Sequence, residues 1–114
     1  MTDIRELKIS TYRELKRYLV AKLSVFGFRL MIEKEVDQPF GSMLCVVHDT
    51  ESKESVRLVF DNRESWYVLA HNKSPSRVWN ELAFVRFDNV DRRAASKAKN
   101  EMRGQINRYL RDLI

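Results

Sequence analysis

The residues able to do acid–base or covalent chemistry are few. His48 has Asp49 as its neighbour, His71 lies further on, and Cys45 is the chain's lone cysteine. Two histidines at strand ends can serve as an acid/base pair, the arrangement that a small metal-free ribonuclease requires. A surface or edge role is the commoner state of each. Cys45 sits between apolar neighbours, where a thiol is usually buried and inert and not a nucleophile. Metal-ligand patterns are missing: there is no C-x-x-C, no H-E-x-x-H and no calcium loop. Gly27, Gly41 and Gly104 are isolated, so no glycine-rich phosphate loop occurs. These features point away from an enzyme, and no cofactor or metal is expected.

The chemistry that the sequence does concentrate is cationic. From Asp91 to Ile114, Ala95, Ala98, Met102, Ile106, Tyr109 and Leu113 recur at spacings of three and four, which predicts an amphipathic helix. Arg92, Arg93, Lys97, Lys99, Arg103, Arg108 and Arg111 stand there against Asp91, Glu101 and Asp112, so the segment carries +4 of the chain's formal +5. At ~100° per residue, Arg93, Lys97, Arg108 and Arg111 lie opposite the Met102 stripe, with Asn100 and Asn107 between them. Lys99 and Arg103 flank that face. Long basic side chains mixed with amides are suited to phosphates. The bland alternative is a solvated face whose stems cover the core. Gly104 falls on the same outer face, where it either admits a close backbone approach or is simply tolerated.

A first helix is expected from about Thr11 to Phe26, with Thr11 and Glu14 spaced as a capping box and Gly27 as its left-handed stop. A start as early as Asp3, with Glu6 in capping spacing, is the alternative. Its outer face adds Arg13, Lys16 and Arg17 to the cationic candidates. Between the helices the period changes to two. Strands are expected from Phe28 to about Val36, from Met43 to His48, through Val56, Leu58 and Phe60, and from Trp66 to His71. Short links favour antiparallel hairpins. Ser74-Pro75 resembles a helix start, which predicts a short helix through Leu82. Ala83 to Phe87 reads as a fifth strand or an extended link. Asp88 to Asp91 is expected to turn the chain and cap the last helix.

The fold class is therefore α+β: a four- or five-stranded antiparallel meander with the N-terminal and C-terminal helices on one face. The second strand is apolar on both sides, so the other face should be solvated, covered by the short helix or buried in a homodimer. At 114 residues and 44% hydrophobic content, one domain spanning residues 1–114 is expected. No secretory signal or apolar span is visible, and a reducing cytoplasm suits a single cysteine.

Two function classes fit. One is a nucleic-acid-binding module, for DNA or RNA, using Arg93, Lys97, Lys99, Arg103, Arg108 and Arg111 with help from Arg13, Lys16 and Arg17. The other is an inhibitor, immunity or adaptor protein that docks on an acidic protein surface, with Trp66 and Trp79 as aromatic anchors. Trp66 and Tyr67 are adjacent in a strand and must point to opposite faces.

Overall fold

The computed structural model describes residues 4–35, 42–87 and 91–113. Helix α1 (Ile4–Ser24) leads into strands β1 (Arg29–Lys34), β2 (Met43–His48), β3 (Glu54–Asp61), β4 (Trp66–Lys73) and β5 (Asn80–Arg86), and helix α2 (Arg92–Asp112) closes the chain. The strands pair in chain order, each antiparallel to the next. This is the expected α+β meander with five strands, and no helix among the described residues is long and apolar enough to cross a membrane.

Alternation along the strands sends one set of side chains toward the helices. Cys45, Leu58 and Leu69 align across β2, β3 and β4, as do Met43, Phe60 and Tyr67. All are buried, and they share one core with Leu15, Leu19 and Leu23 of α1 and Ala98, Met102 and Ile106 of α2. The rings of Phe60 and Tyr67 lie 4.7 Å apart. Asp91 caps α2 by accepting from the Ala94 N–H at 2.7 Å; residues 88–90 of that expected turn are outside the described residues.

At the other end of the molecule, α1 closes with a Schellman pattern. Gly27 at φ 92° donates to Ser24 O, and Phe28 N–H reaches Leu23 O. The beginning of α1 differs from the capped start expected at Thr11. The helix already runs at Ile4, and Thr11 is buried within it, so Thr11 and Glu14 form no capping box. Glu14 crosses to α2 instead. Asp3, the alternative cap, is outside the described residues.

β1 differs from its expected half-buried alternation. All six of its residues are exposed, and its pairing slips between Leu30 and Ile32. Met31 is the extra residue, so Leu30 shares a face with Val47 and Ile32 the opposite face with Val46. β5 slips in the same way at Leu82. Both edge strands thus carry a bulge, which discourages continuation of the ladder by another chain.

The short helix from Ser74 to Leu82 is not formed. Residues 74–79 are turn and extended chain, and Asn80 begins β5. Local polar bonds hold this alternative: Asn72 Nδ2 donates to the carbonyls of Ser76 and Val78, and Val78 N–H donates to Ser76 Oγ. Pairing with β4 then draws Asn80 and its successors into the ladder. The sheet consequently has helices on one face and, among the described residues, no helix on the other.

Candidate nucleic-acid interface

The α1–α2 seam decides how much cationic surface remains free. Lys99 Nζ lies 2.6 Å from Glu14 Oε2. Arg103 stacks over the Tyr18 ring with its Cζ 5.5 Å from the centroid, and Lys22 Nζ approaches the same ring at 5.5 Å. Tyr18 OH donates to Asn107 Oδ1 at 2.7 Å. On α1, Arg13 grips Glu35 with two hydrogen bonds of 2.8 and 3.0 Å, which hold that carboxylate below its usual pKa. Lys16 pairs with Glu33. Four of the nine cationic candidates, Lys99, Arg103, Arg13 and Lys16, are therefore engaged inside the molecule. They knit the helices to each other and to β1. These contacts give the four a part in holding the fold that sequence could not reveal, because the partners are remote.

Arg93, Lys97, Arg108 and Arg111 on α2 and Arg17 on α1 remain exposed. None of the five makes an ion pair with a carboxylate among the described residues. Gly104 opens to solvent on this side, with nothing within 4 Å of where a Cβ would stand.

A groove runs between α2 and the β5 edge and deepens at two places. The first cavity, about 490 Å³, is lined by Arg86, Arg93 and Lys97 together with Asp91 and Glu101. Asp91 caps α2 and keeps its charge, so three cations stand against two carboxylates in that lining. The second, about 300 Å³, sets Arg108 against Glu81 and Asp112. A phosphate would favour the first.

The sheet's uncovered face carries the aromatic candidates. Trp66 is half-buried there, opposite in direction to the fully buried Tyr67, as adjacency in a strand requires. Its ring lies 5.4 Å from that of Phe84, and Arg86 Cζ sits 5.6 Å from the Trp66 centroid. Trp79, just before β5, lies under Arg57 at 4.5 Å. Phe84 and Arg86 were not among the sequence candidates. The expected fifth strand over residues 83–87 puts both on one face, but only its pairing with β4 brings that face beside Trp66.

The residues considered for catalysis do not converge. His48 aligns with Ser55 and then Asn72 across β3 and β4, so the adjacent His71 points to the opposite face. His48 Nδ1 lies 2.7 Å from Ser55 Oγ. His71 Nε2 is 3.6 Å from Glu54 Oε1, and its ring stacks 5.6 Å from Tyr109. Cys45 is buried, and burial pushes its thiol up to about 11. Among the described residues no group of three His, Cys, Asp or Glu side chains is arranged to hold a metal ion.

Comparisons with protein-family models, curated sequences and solved structures return no match to this chain.

Proposed function

We propose that this protein is a non-enzymatic nucleic-acid-binding module of the cytoplasm, contacting phosphates through the solvent face of α2. The observation that carries this reading is the set of exposed cations Arg93, Lys97, Arg108 and Arg111, which have no carboxylate partner among the described residues. Arg17 on α1 extends the set. A helix of 21 residues places such charges along ~30 Å, a length that spans several phosphates. Lys99, Arg103, Arg13 and Lys16 hold the surface together and do not contact the ligand.

The test is titration with random-sequence DNA and RNA at low and moderate salt, for the wild type and for Lys97→Glu and Arg108→Glu. The reading expects affinity that falls with salt and is weakened by each reversal. Full affinity in both variants would exclude this face. An acidic protein partner, docking through the same cations and Trp66, is the competing reading; a complex drawn from lysate that survives nuclease digestion would favour it.

A further inference from the structure

We infer that the nucleic acid this protein takes is single-stranded, with its bases laid on Phe84 and Trp66 and its phosphates in the cavity beside them. This rests on the nucleic-acid reading above and goes further by naming a second surface and a substrate form. Arg86 joins the two surfaces. It lines the cavity with Arg93 and Lys97, and its guanidinium lies over the Trp66 ring. A chain crossing the β5 edge at this point meets cations on one side and aromatic rings on the other.

The occupant follows from the chemistry of the face. Phe84 is 51% exposed although it is a large aromatic side chain. It lies in register with Val68, Val59 and Leu44, and Trp66 is its diagonal neighbour on the same face. The cations here are Arg86 and Arg57, with Arg29 and Lys34 on β1 at the far end of the aligned rows. The acids are Glu81 and Asp61, and Asp61 Oδ1 already accepts the N–H groups of Arg63 and Glu64. The face is aliphatic along Leu44, Val59 and Val68 and becomes aromatic and cationic at the β4–β5 corner, where Trp66, Phe84 and Arg86 meet; that corner is complementary to a strand that offers flat rings and negative charge. A duplex keeps its rings stacked inside and could use only the cations.

The experiment is a fluorescence titration with oligothymidylate of about a dozen nucleotides, beside a hairpin duplex of matched charge. Wild type should bind the single strand more tightly and show quenching of tryptophan emission. Phe84→Ala should weaken the single strand about tenfold and leave the duplex unchanged, and Phe84→Tyr should restore binding. Because the chain has two tryptophans, Trp66→Phe should abolish the quenching even at saturating oligonucleotide. Thermal melting of each variant checks the fold.

Equal affinity for both forms with a neutral Phe84→Ala would overturn this inference and leave the α2 reading standing. Loss of single-strand and duplex binding alike in Lys97→Glu, with Phe84 silent, has the same meaning. Binding to neither form in the wild type removes both readings. A wild-type dimer that Phe84→Ala converts to monomer, without quenching by the oligonucleotide, would assign the face to a second copy of this chain and overturn the proposal.

Discussion

Lys99 of α2 and Glu14 of α1, 85 positions apart in the chain, meet at 2.6 Å across the helix seam. The pair takes a cation that a helical wheel assigns to the ligand and gives it to the fold. Lys99→Gln should leave nucleic-acid affinity within about twofold of wild type. Its effect on stability should stay under about 1 kcal/mol, as for other partly exposed pairs. Lys97→Gln, about half a turn away and without such a partner, should weaken binding. Equal losses in the two variants would return Lys99 to the interface.

Salt dependence gives an independent measure of the same face. If Arg93, Lys97, Arg108 and Arg111 each neutralise one phosphate, the logarithm of affinity should fall with the logarithm of salt at a slope of about −3 on a single strand. Each neutralised cation should flatten that slope by roughly 0.7. A slope that does not change across the four single variants would contradict the assignment.

Gly104 separates a functional from a passive glycine. Nothing lies within 4 Å of an added Cβ, so Gly104→Ala should stabilise the protein by about 1 kcal/mol through helix propensity alone. Thermal melting reads this as a rise of a few degrees. Unchanged affinity marks the glycine as merely tolerated; a tenfold loss would show that a partner's backbone comes close there.

Ile106 is fully buried beneath α2. Ile106→Ala should cost about 2–5 kcal/mol in chemical denaturation, from lost burial and a residual cavity. The phosphate-binding cations should keep their affinity under conditions where the variant is folded.

Alkali should destabilise this protein through its buried acids. Burial raises the Cys45 thiol from an ordinary 9.0 to about 11, and raises the Tyr12, Tyr67 and Tyr109 hydroxyls above their ordinary 10.0. A raised acid binds its proton more tightly when folded. Its contribution is complete below the unfolded pKa and is lost as pH climbs toward the folded one. Stability should therefore be level up to about pH 9 and decline from there. Cys45 alone accounts for roughly 2–3 kcal/mol by about pH 11. A disulfide reagent at about pH 8 should find the thiol unreactive until denaturant is added.

Much of the fold could be read from residue order because the relevant forces are local. The Ala95-to-Ile106 stripe, the Gly27 stop and the alternation of Val56, Leu58 and Phe60 all act within a few residues. Residue order misleads where distant groups intervene. Ser74 and Pro75 carry a genuine helix-start signal, yet Asn72 and the β4 ladder claim the residues after them. β1 alternates correctly in sequence, but one extra residue at Met31 reverses its phase halfway along. The site shows the same division. The exposed cations of α2 are visible on a wheel, whereas the fates of Lys99, Arg103, Arg13 and Lys16 depend on where Glu14, Tyr18, Glu35 and Glu33 arrive after folding.

The absence of a helix beneath the sheet, among the described residues, also determines which signals light can report. Trp66 and Trp79 both associate with the bare side, while the aromatic rings buried in the interior are those of Tyr12, Phe28, Phe60, Tyr67 and Phe87. Indole emission will thus watch the outside of the sheet and say little about melting of the centre. Tyrosine absorbance or near-ultraviolet dichroism is the signal that will register loss of the interior, so one sample offers two separable optical windows.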